Sequence, residues 1–136
     1  MLRGRAAKVL LIAAVAPVRS NSAASVRTLE LIDAFSAAQH SVYCASPQLV
    51  HCDTPEYECF HLPPNEPDAI EATLARTEPD VVIFDRYYIE EMFGPYVRQQ
   101  LPGALRVLDL QVPLRTFHYW FEWLLRMQCR TCTRCG

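Results

Sequence analysis

Asp85, Arg86 and Tyr87, with Glu90 and Glu91 just beyond, are the densest group of side chains able to do chemistry. They follow directly on the apolar run VVIF at 81–84. In open α/β sheets the carboxyl ends of strands point into the ligand crevice, where a carboxylate can orient hydroxyls or take a proton from one. Asp85 is therefore the catalytic candidate, and Arg86, Tyr87, Glu90 and Glu91 are candidate substrate contacts. The same residues would also suit a plain helix start, with Asp85 and Arg86 capping and the glutamates on the wet face. A second group is Ser20, Asn21, Ser22 and Ser25, with Arg27 about one turn further on. Free backbone N–H groups at a helix start attract anions, and no carboxylate occupies this first turn. This loop has no glycine, which would hinder close approach to a phosphate. Ordinary helix caps beside a solvated Arg27 are the alternative reading.

The chain has six cysteines, of which Cys129, Cys132 and Cys135 form C-x2-C-x2-C. Thiolates so spaced can share a zinc ion or part of an iron–sulfur cluster, given a fourth ligand such as Cys44, Cys52, Cys59, His51 or His61. The cysteine and proline that would continue an iron–sulfur pattern are absent, so no metal is assigned. In a cytosolic chain no disulfides are expected. His118, Tyr119, Trp120, Phe121 and Trp123 lie in a stretch, 114–128, that would form a helix apolar around much of its girth. Such a helix needs burial, a partner or a membrane surface, and covering an exposed sheet is preferred here to anchoring in lipid.

The elements that must position these groups follow from the hydropathy pattern. KVLLIAAV at 8–15 reads as a first strand, and a polar loop at 16–21 leads into an amphipathic helix from near Ser22. Val26, Leu29, Ile32 and Phe35 share one face of that helix. SVYCAS at 41–46 is a second strand ending at Pro47, and the stretch to Pro64 has no clear period and reads as mostly loop. Asn65-Glu66-Pro67-Asp68 is a helix start, with Ile70 and Leu74 on one face until Pro79. VVIF is a strand buried on both sides. Ile89, Met92, Phe93, Tyr96 and Val97 repeat at helical spacing, but Gly94-Pro95 predicts two short pieces. A last strand runs from Leu105 to Asp109. Right-handed crossovers would make the sheet parallel. The expected fold is an α/β, Rossmann-like three-layer half domain over 8–109 with about four parallel strands. A helical or disordered tail follows over 110–136.

With 136 residues and a formal charge of −2, one domain of ordinary composition is expected. The thirteen basic residues are scattered up to the last stretch, so no nucleic-acid partner is expected. The arginine-rich start before the first apolar run could be a targeting segment, but cleavage there would remove the central strand. No run approaches the roughly eighteen apolar residues of a membrane span. A soluble, cytoplasmic chain is expected, with membrane association disfavoured.

KVLLIAAVAPVRSNSAASVRTLELIDAF, then PDVVIFDRYYIEEMFG, then ALRVLD, taken as an ordered set, resembles the N-terminal domain of GT-B type glycosyltransferases. The resemblance covers 8–109 and implies the acceptor-side half of a two-domain cleft. In that family a second domain holds most of the nucleotide-sugar donor site. It implies a sugar or lipid acceptor, with the Ser20 loop facing the donor phosphates or the acceptor. After Asp109 the chain departs from the family pattern, and the tail reads as foreign to it. The expectation is a glycosyltransferase-like chain or truncated fragment, inactive alone and without a cofactor of its own. The alternative is a non-catalytic Rossmann-like binding or interaction module. A response-regulator or dinucleotide fold is less well matched, as there is neither an acidic phosphorylation pocket nor a glycine-rich fingerprint.

Overall fold

The computed structural model describes residues 6–15, 23–48, 57–109, 119, 121–123 and 125–126. The elements are β1 (Lys8–Ile12), α1 (Ala23–Ala37), β2 (Ser41–Ser46), β3 (Glu58–His61), α2 (Pro67–Thr77), β4 (Val81–Phe84), α3 (Tyr87–Gln100) and β5 (Leu105–Leu108). The strands form one five-stranded sheet in the order β3-β2-β1-β4-β5, and every pairing is parallel. The fold is thus the α/β Rossmann-like one expected, with one strand more.

The sheet's two faces explain the sequence of its central strands. Val9 and Leu11 of β1 join Val81 and Ile83 of β4 on the α1 face, while Leu10 and Ile12 join Val82 and Phe84 on the face covered by α2 and α3. Both sides are dry, so KVLLI and VVIF are nearly continuous apolar runs rather than alternating ones. Each such side chain, fully buried, contributes roughly 1.5–3 kcal/mol of transfer free energy.

Three expectations need correction. β3 was not anticipated, because its sequence ECFH is half-buried on an edge and lacks a β-branched run. α3 is one helix across Gly94-Pro95 rather than two pieces. Ile89, Phe93, Gly94 and Val97 are buried on both sides of Pro95, and their packing outweighs the hydrogen bond the proline forfeits. On α1 the buried stripe is Ser25, Thr28, Leu31, Ile32 and Phe35, while Val26 is 45% exposed. Small polar side chains carry the inward face near the helix start, and an apolar periodicity cannot register them.

The α1 face is also covered by residues from the end of the chain. Residues 119, 121–123 and 125–126 are helical, and Phe121 is fully buried with its ring 4.6 Å from that of Phe35. His40 lies against the same ring, its Nδ1 accepting a hydrogen bond from the Ala7 N–H at 3.0 Å.

Candidate functional site

The chain runs from β1 outward to β2 and β3 on one side, then returns to β4 and β5 on the other. The crossovers therefore diverge between β1 and β4, and the carboxyl ends of these strands form the topological switch point, the crevice position at which ligands bind in doubly wound sheets. Asp85 stands there, one residue past β4. Its own N–H donates to the Ile12 carbonyl at 3.1 Å, continuing the β1 to β4 ladder. Its Oδ2 accepts the Ala14 N–H at 3.0 Å, so the carboxylate bridges the two strand ends. Its Oδ1 is buried and has no hydrogen-bond partner among the described residues.

Burial raises the Asp85 carboxyl above the ordinary carboxylate range, and the nearby Asp109 adds to the shift. The Ala14 hydrogen bond and the Arg86 charge work against it. The Arg86 Nε lies 3.6 Å from Asp85 Oδ2, and its guanidinium sits 5.8 Å above the Tyr88 ring. A carboxylate anchored by one oxygen, with the other dry and unmatched, suits accepting a hydrogen bond or a proton from a bound group.

Asp109, the residue after β5, is the second carboxylate at this end of the sheet. Its N–H donates to the Phe84 carbonyl at 2.8 Å. Arg27 reaches across from α1 to both its oxygens, Nε to Oδ2 at 3.4 Å and Nη2 to Oδ1 at 3.3 Å. Asp109 is almost wholly buried, so this pair ties α1 to β5 beside the crevice. The rule that found Asp85, a carboxylate just past a buried strand, applies equally to Asp109.

The candidate contacts are distributed unevenly. Arg27 is engaged with Asp109. Ser25 is fully buried on α1. Tyr87 and Tyr88 are exposed on the first turn of α3, beside Asp85. The Tyr87 phenol is pushed up by the Glu91 charge and its hydrogen bond to that side chain, with Glu90 a smaller contributor. Glu90 folds toward Gly94, where a Cβ would come within 2.5 Å of its Oε1. Ser20, Asn21 and Ser22 lie outside the described residues, as does the C-x2-C-x2-C motif. Among the described residues no group of three or more His, Cys, Asp or Glu could hold a metal ion. No helix among them is long and apolar enough to cross a membrane. A shallow hollow lined by Pro79, Asp80 and 100–104 lies at the amino-terminal end of β4 and β5, away from both carboxylates.

Fold and crevice together define a Rossmann-like α/β domain. No protein-family model matches the chain, and no curated protein matches it. Among solved structures it is similar to the MycE methyltransferase from the mycinamycin biosynthetic pathway in complex with Mg and SAH. The identity is 18% and the TM-score 0.55, over 79% of this chain and 28% of that one. It is similar to the same enzyme in complex with Mg, SAH and mycinamycin VI, at 18% identity and a TM-score of 0.55, over 79% of this chain and 30% of that one. The chain thus spans under a third of the length of the structures it matches.

At this identity the likeness is one of fold, and it corrects the sequence-based reading. The expected GT-B glycosyltransferase half, with its nucleotide-sugar donor, is overturned, because the matching fold is that of a methyltransferase. Strand, turn and helix runs in this order occur across doubly wound sheets, so their order alone could not separate the two classes. The alternative of a non-catalytic module gains no specific support.

Proposed function

We propose that this chain is the ligand-binding Rossmann-like part of a small-molecule methyltransferase, holding an adenosyl ligand across the crevice between β1 and β4. The observation that carries the reading is Asp85, fixed at the switch point through Oδ2 while Oδ1 is buried without a partner. An orphaned buried oxygen costs free energy unless a ligand satisfies it, so the donor set fits an adenosyl ligand's polar groups or an acceptor hydroxyl. S-Adenosylmethionine, when bound, would supply an electrophilic methyl group on a sulfonium. Asp85 would accept a hydrogen bond from a hydroxyl or amine of that ligand through its unpartnered Oδ1. Arg27 and Asp109 would keep the α1 and β5 walls in register, and Arg86, Tyr87, Glu90 and Glu91 would form the acceptor-side lip.

Calorimetric titration of the chain with S-adenosylhomocysteine tests this reading. Saturable binding is expected, weakened about tenfold or more in Asp85→Asn, a loss of about 1.4 kcal/mol. Absence of saturable binding, or equal affinity in both proteins, would contradict it.

A further inference from the structure

Two carboxylate and guanidinium pairs stand at the carboxyl ends of β4 and β5, and they differ in one respect. Arg27 meets both oxygens of Asp109, so that carboxylate and guanidinium answer each other. Asp85 and Arg86 do not. The Arg86 Nε lies 3.6 Å from Asp85 Oδ2, beyond hydrogen-bonding distance, and that oxygen already takes the Ala14 N–H. Asp85 Oδ1 and Arg86 Nε are both buried, and neither has a hydrogen-bond partner among the described residues. The switch point thus holds an unmatched acceptor on a carboxylate beside an unmatched donor on a guanidinium. The Arg86 guanidinium carbon also lies 5.8 Å from the centre of the Tyr88 ring. An aromatic ring takes up a face of a guanidinium, which leaves the in-plane N–H groups for a planar acceptor.

Each unmatched atom costs free energy that a ligand can recover. Because the acceptor belongs to an anion and the donor to a cation, the group that recovers most carries the two opposite charges side by side, in charge-assisted bonds. A neutral pair of hydroxyls would leave both charges uncompensated. An α-amino acid has the required arrangement, an ammonium and a carboxylate on one carbon. Resting on the adenosyl reading of this crevice, we propose that Asp85 and Arg86 bind the α-amino acid end of the ligand. Asp85 Oδ1 accepts from the ammonium, and Arg86 Nε donates to the carboxylate. The pair is then the specificity determinant that separates a ligand with a methionine or homocysteine end from an adenosine lacking one. Arg86 serves this end of the ligand as well as the acceptor-side lip.

The test is calorimetric titration of the full chain with S-adenosylhomocysteine and with 5′-methylthioadenosine. The two share the adenosine and the thioether and differ in the amino acid end. S-Adenosylhomocysteine is expected to bind about tenfold or more tighter, and the gap is expected to shrink to within about threefold in Arg86→Gln. Thermal unfolding of the variant verifies that it folds, and the wild-type comparison stands without it. Equal affinities in the wild-type chain, or an undiminished gap in folded Arg86→Gln, would overturn the inference and leave the adenosyl reading intact. Saturable binding of neither ligand would contradict the adenosyl reading itself, and the inference with it.

Discussion

Replacing Asp85 with asparagine should stabilise the fold while weakening its site. The asparagine Oδ1 can still accept the Ala14 N–H, so the bridge between β1 and β4 survives. What disappears is a charge held in a dry place, for which burial is the largest cause of the raised carboxyl. The sign follows from that direction. The folded carboxyl titrates above its unfolded counterpart, so ionised Asp85 weakens the fold. That penalty is absent below the unfolded value, grows as pH rises between the unfolded and folded values, and is complete above both. Against the gain stands the lost attraction to Arg86, whose side chain is 35% exposed and whose Nε is 3.6 Å away, a pair that contributes at most about 1 kcal/mol. The net expectation at pH 7 is a gain of about 0.5–1 kcal/mol. For a chain of this size that is a Tm increase of roughly 2–4 °C. Thermal unfolding of both proteins between pH 4 and pH 8 should show the gap widest near neutrality and closing on acidification. A variant less stable by more than about 1 kcal/mol at pH 7, or a gap that ignores pH, would make Asp85 a structural carboxylate and refute the reasoning.

Arg27→Met removes the guanidinium that meets both oxygens of the buried Asp109 and should cost about 2–4 kcal/mol in urea unfolding. Much of that should be recovered in Arg27→Met/Asp109→Asn, and no recovery would mean that the pair is not energetically coupled. Phe121→Ala empties a fully buried site against Phe35 and should cost about 3–5 kcal/mol. A change below about 1 kcal/mol would show that the helical residues near the chain end do not hold to α1. Pro95→Ala restores an N–H inside α3 at an exposed position and should stabilise by about 1 kcal/mol or more, measured by the same method. A loss of stability there would mean that the proline relieves a constraint elsewhere in α3.

The parts of the fold that the sequence makes legible are those where burial on both faces leaves no ambiguity. KVLLI, against a targeting-segment alternative, and VVIF read as inner strands, and Ile70 with Leu74 placed α2 correctly. β3 escaped because an edge strand with one dry face needs few apolar residues, and ECFH carries none of the usual signals. The inward face of α1 escaped for a related reason, since Ser25 and Thr28 are buried by position rather than by hydropathy. Asp85 was legible from strand-end logic alone. Its orphaned oxygen was not, because that depends on Ala14 approaching from a strand seventy-one positions away in the chain. Arg27 was read as solvated or anion-facing, whereas its partner Asp109 is eighty-two positions distant. The glycosyltransferase resemblance was the least secure reading, since the same run of strands and helices occurs across doubly wound sheets of many functions.

The most direct test of the central claim is an amide chemical-shift map of the isotope-labelled chain titrated with S-adenosylhomocysteine. Saturable shifts should concentrate at Ala14, Asp85, Arg86 and Asp109, the residues that ring the carboxyl ends of β1, β4 and β5. Shifts confined to the opposite end of the sheet, around Asp80 and 100–104, or no shifts at all, would contradict it.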